Sequence, residues 1–81
     1  MTRDEEFYNI KYKEGSLEPK TRELIFFAAS IAIGHENGAK IHLGKARECG
    51  ASEEEITESM VYAMQRATAK VRYLGRNLIE K

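Results

Sequence analysis

Apolar positions along this chain return every three or four residues, and no β-branched run alternates with polar residues between turn signals. The pattern predicts helices throughout. Thr2 and Glu5 have the spacing of a capping box, so a first helix is expected to start there. It would carry Phe7, Tyr8, Ile10 and Tyr12 and end near Gly15. Pro19 suits the first turn of a second helix, where its missing N–H costs nothing. This second helix is expected from about Glu18 to Ile33, with Gly34 as the break. A third should run from His35 or Glu36 to Cys49, with Gly50 just past its end, where glycine is favoured. Ser52 and Glu55 form the clearest capping box in the chain. Glu53, Glu54, Glu55 and Glu58 follow, at the helix end where the backbone dipole favours negative charge. Ile56, Met60, Met64, Ala67, Val71, Leu74 and Leu78 then repeat at spacings of four and three. No Gly or Pro lies between Arg66 and Lys70 to force a bend, so the stripe reads as one long helix ending near Glu80.

The second helix is unusual. From Leu24 to Ile33 it is apolar or small on every side, broken only by Ser30. A helix apolar all round must be buried all round. The chain has 81 residues, one domain at most. A chain this short buries only roughly 60–65% of the surface its unfolded form exposes. Other copies of the chain are therefore expected to cover what one copy leaves open. Gly38 and Gly44 sit inside the third helix, where each costs about 1 kcal/mol relative to Ala, so a close neighbour is expected at each.

Composition narrows the function classes. Hydrophobic residues are 42% and charged residues 32%, as in a globular chain. Thirteen Lys and Arg balance thirteen Asp and Glu, so the strong basic footprint of a nucleic-acid binder is missing. No stretch approaches the roughly 18–20 apolar residues that span a bilayer, and from the polar, acidic start no signal peptide is expected. A single cysteine allows no internal disulfide and no multi-cysteine zinc site, which fits a reducing, cytoplasmic setting.

The candidate chemistry lies in the middle of the chain. His35 and His42 fall on one helix face, two turns apart. If the second and third helices form an antiparallel hairpin about Gly34, Glu23 and His42 both lie far from the turn and can meet. A carboxylate beside an imidazole is a sound acid–base pair, because it fixes the tautomer and stabilises the imidazolium. The plainer alternative makes each histidine a satisfied, partly buried or surface residue. The two histidines are too far apart on one helix to share a zinc ion, so no metal and no cofactor are expected. Cys49 stands at a helix C-terminus, which disfavours thiolate, and reads as structural. Arg66, Lys70, Arg72 and Arg76 read as a solvated face rather than a phosphate site. Tyr12, Tyr62 and Tyr73 read as core or interface edges.

The segments Leu17–Ile25, Ala29–Gly34, His42 and Lys45–Ile56 together resemble the carboxymuconolactone decarboxylase and alkyl hydroperoxidase D superfamily. The resemblance covers about residues 16–65. It implies an all-α fold of helical hairpins, about four helices in a single domain over residues 1–81, assembled as a homo-oligomer, often a trimer or hexamer. It also implies a site at the second and third helices, with Glu23 and His42 at the positions of the family's glutamate and histidine. In the peroxidase-like branch, a CxxC opens the third helix. Those two cysteine positions are His35 and Gly38 here, so thiol peroxidase activity is not expected. Decarboxylase relatives are longer and typically carry an acidic residue where Gly38 stands. Two functions remain. One is acid–base chemistry on a small, anionic organic acid or lactone, with Glu23 orienting His42 and His35 polarising the substrate. The other is a non-catalytic oligomeric binding or scaffold protein, which Gly38 favours by removing a functional side chain from the site.

Overall fold

The computed structural model describes residues 17–81; the helix expected between Thr2 and Gly15 lies outside them. The described residues are all-helical, with three helices: α1 (Pro19–Ala32), α2 (Glu36–Glu48) and α3 (Glu53–Ile79). These correspond to the second, third and fourth helices of the sequence pattern. Pro19 opens α1 at its first turn, as its fixed φ and missing donor favour.

Both joints use the same local chemistry. The Gly34 N–H donates to the Ile31 carbonyl, and the His35 N–H reaches back to the Ser30 carbonyl at 2.8 Å. That is the Schellman pattern, which needs a left-handed residue after the helix, and Gly34 supplies φ 72°. Gly50 repeats it with φ 90°, its own N–H on Arg47 and that of Ala51 on Ala46. Each joint is completed at once by a cap on the next helix. His35 closes α1 through its backbone and opens α2 through its side chain, its Nδ1 accepting from the Gly38 N–H. Ser52 opens α3 in a full capping box with Glu55.

α1 packs against both α2 and α3. The core lies at their junction, where Phe27 from α1, Ala39 from α2 and Ile56 from α3 are buried. Leu24, Ile31, Leu43, Ala51 and Met60 surround them. Two ion pairs pin the start of α3, Lys20 to Glu55 at 2.9 Å and Arg47 to Glu53 at 2.6 Å.

α3 is a single helix of 27 residues, about 40 Å long, and it outruns its partners. Ile56 and Met60 sit in the core and Ala63 is buried. The same stripe continues as Met64, Val71, Leu74 and Leu78, all exposed. The radius of gyration is 15.9 Å, against roughly 11–12 Å for a compact domain of this size. On α1 and the residue that caps it, one row of the apolar surface is likewise open: Ile25, Ala29 and Ile33, the last 79% exposed. Among the described residues, no helix is long and apolar enough to cross a membrane.

Candidate active site

Glu23 is the only buried charged residue among those described, its side chain 4% exposed. It sits one turn before Phe27 on the face of α1 that meets α2. Antiparallel packing around Gly34 brings it opposite His42. Glu23 Oε1 and His42 Nδ1 are 2.7 Å apart, and the Arg22 Nε–H donates to Oε2 at 3.0 Å. Phe26 stacks on the imidazole face, with ring centroids 4.6 Å apart and planes at 25°. The ring is thus held at its edge by a carboxylate and across its face by an aromatic.

Burial alone pushes the Glu23 carboxyl above its ordinary value. The hydrogen bonds from His42 and Arg22, with their charges, outweigh burial and hold it lowered. An ionised carboxylate can only accept, so His42 Nδ1 carries a proton. In the neutral ring, Nε2 is then the basic nitrogen. This orientation of an imidazole by a carboxylate on its far side leaves Nε2 to take or give a proton.

The pair opens onto a polar groove of about 390 Å³ lined by Arg22, Glu23, His42, Lys45, Glu48 and Cys49. The sequence pattern had not placed Arg22, Lys45, Glu48 or Cys49 there, nor Phe26 against His42. The signal was present for two of them: Lys45 follows His42 at three residues along α2, and Cys49 follows Lys45 at four, just past its end.

His35 lies elsewhere. It borders a more apolar groove of about 460 Å³ at the turn end of the hairpin, with Phe27, Ser30, Ile31, Ala39 and Leu43. Its Nδ1 accepts from the Gly38 N–H at 3.2 Å. The structure therefore joins Glu23 with His42 and sets His35 apart from both. Among the described residues, no three or more His, Cys, Asp or Glu side chains are placed to hold a metal ion.

The carboxymuconolactone decarboxylase family model matches residues 1–73, nine-tenths of the chain. The chain belongs to the carboxymuconolactone decarboxylase family. Comparison with curated proteins gave no match, and comparison with solved structures gave none. His35 and Gly38, which the resemblance set against a CxxC pair, form a helix cap. A Cβ built on Gly38 would lie 2.4 Å from His35 Nδ1 and 3.0 Å from Ser30 Oγ. The spacing of three that would let two thiols meet at a helix start instead lets an imidazole nitrogen reach an amide. Gly38 is thus the position that admits the His35 ring, and the close neighbour expected there is a side chain. Gly44 has no neighbour within 4 Å and is open.

Proposed function

We propose that this family member performs acid–base chemistry on a small organic acid or lactone at Glu23 and His42. One observation carries the reading: a buried carboxylate 2.7 Å from an imidazole whose other nitrogen is left for substrate. In a decarboxylation, the C–CO2 bond breaks and its electron pair stays on carbon, conjugated with the lactone carbonyl. Protonated His42 then delivers its Nε2 proton to that carbon, and CO2 leaves. Glu23 keeps the ring aimed and stabilises the imidazolium before transfer. His35 enters this reading through the start of α2, not through the substrate. No thiol step is required, and a reducing, cytoplasmic setting suits the unpaired Cys49.

The test is turnover of a carboxymuconolactone-type acid by the wild type, His42→Gln and Glu23→Gln across pH. Loss of at least about 100-fold in kcat for His42→Gln supports the reading, matching the usual contribution of general acid–base catalysis. Equal turnover by wild type and His42→Gln defeats it.

The exposed apolar rows favour a second role, in assembly. Ile25, Ala29 and Ile33 on α1, and Met64, Val71, Leu74 and Leu78 on α3, form stripes that a second copy would cover. In this reading the chain is a homo-oligomer, and an inactive wild type that still assembles would be a binding or scaffold member. Light scattering of the wild type beside Leu74→Glu checks it. A monomeric wild type rules it out.

A further inference from the structure

The cations of α1 and α2 are neutralised with one exception, and that exception borders the His42 groove. Lys20 pairs with Glu55 at 2.9 Å, Arg22 with Glu23 at 3.0 Å, Lys40 with Glu36 at 3.3 Å and Arg47 with Glu53 at 2.6 Å. Lys45 makes no ion pair within 4.0 Å among the described residues, with Glu48 one turn further along α2. It is exposed, it lines the groove, and it stands one turn along α2 from His42. Residues three apart on a helix bring their Cβ atoms within about 5–6 Å. An ammonium on a flexible stem and an imidazole nitrogen thus border one polar hollow from the same helix face.

We infer that Lys45 selects the substrate, binding a carboxylate that lies a few bonds from the carbon His42 protonates or deprotonates. This rests on the acid–base reading of Glu23 and His42 and adds to it the residue that sets which acids are held there. Charge around the groove sets where that carboxylate sits. Glu23 is turned inward and saturated by His42 and Arg22. Glu48 borders the groove beyond Lys45 and repels an anion on that side. The space between Lys45 and His42 is therefore the favourable one. Lys45 does not touch the reacting carbon; it sets affinity and choice of substrate.

The inference is tested by binding, so that it does not depend on turnover. The full-length, ¹⁵N-labelled protein is titrated with maleate, a compact dicarboxylate, and with its neutral dimethyl ester, following the amides of residues 42–49 and the His42 ring. Saturable maleate binding that weakens about tenfold in Lys45→Met, persists in Lys45→Arg, and is unchanged in Lys40→Met supports the assignment. So does tighter binding in Glu48→Gln, and weaker binding as salt is raised. Wild-type maleate binding equal to that of Lys45→Met overturns it, as does an ester that binds as well as the acid, or a wild type with no saturable binding at millimolar maleate. The His42→Gln protein separates this inference from the reading beneath it. If that variant binds maleate through Lys45 while no protein turns over any lactone acid, the acid–base reading fails and the lysine site stands. If turnover depends on His42 but KM ignores Lys45, the lysine site fails alone.

Discussion

The α1–α2 hairpin carries a histidine at each end, and the two are held in opposite ways. At the open end, His42 is mostly buried, stacked on Phe26 and bonded at Nδ1 to a buried carboxylate. At the turn end, His35 is exposed and its Nδ1 is an acceptor for a backbone amide. Both nitrogens are Nδ1, yet one carries a proton and the other must not. The difference comes from the partner: an ionised carboxylate demands a donor, and an N–H demands an acceptor. A histidine's part in a fold is thus decided by what faces it. Here the carboxylate-facing ring keeps its lone pair at Nε2, and the cap-forming ring spends its own at Nδ1.

The sharpest way to break this contrast is to remove the buried carboxylate. Glu23→Leu should destabilise the protein by about 3 kcal/mol, since His42 loses the acceptor it was packed against. Denaturant unfolding measures it, and a loss below about 1 kcal/mol would mean that the pair is held loosely. Glu23→Gln should lose less stability, because shape is kept, while the aimed tautomer of His42 is lost.

A second effect follows from acid. The Glu23 carboxyl is lowered in the folded protein relative to the unfolded chain. Its contribution is therefore fully present above the unfolded carboxyl value and is lost as pH falls through the folded one. The stability gap between wild type and Glu23→Gln should shrink on acidification through the carboxylate range and stay level above it. A gap that grows as pH falls would contradict the ionised pairing.

At the turn end the expected effects are smaller and partly cancel. Gly38→Ala places a Cβ 2.4 Å from His35 Nδ1, so the ring must leave its cap, a loss of about 1 kcal/mol. Alanine regains up to about 1 kcal/mol of helix propensity, so the net change should be near zero. In a His35→Ala background the same substitution should stabilise by up to about 1 kcal/mol. A double-mutant cycle reads that coupling directly, and a coupling near zero would mean that the cap carries no energy.

The smallest effect concerns the identity of the cap. His35→Asn keeps an acceptor for the Gly38 N–H, because an asparagine side-chain oxygen also caps a helix start. Denaturant unfolding should therefore show a change of less than about 0.5 kcal/mol for His35→Asn, against a loss of about 1 kcal/mol for His35→Ala. Equal losses in the two variants would mean that the cap bond carries no energy.

Much of this arrangement was legible in the residues. Pro19, Gly34, Gly50 and the Ser52–Glu55 box mark helix ends to within a residue or two, because caps are local chemistry between neighbours. The length of α3 was legible for the same reason, as nothing between Arg66 and Lys70 interrupts it. The meeting of Glu23 with His42 followed from a hairpin about Gly34, and the described geometry has that hairpin. Phe26 on the ring and Arg22 on the second carboxylate oxygen were not legible. Each depends on how far α1 is rotated about its own axis against α2, and spacing along a helix does not fix that angle.

Gly38 shows the same division at one position. Read along the chain, it is a missing functional side chain. In three dimensions it is the space His35 occupies to start α2. The sequence alone determined the helices, their ends and the presence of more apolar surface than one short chain covers, since all of these depend on near neighbours or on amounts. Tertiary packing alone decided that Phe26 covers the His42 ring, which lysine beside it is left without an ion pair among the described residues, and which apolar rows on α1 and α3 stay open. Those outcomes depend on contacts between residues far apart in sequence, and only the docking of α1 against α2 and α3 brings them together.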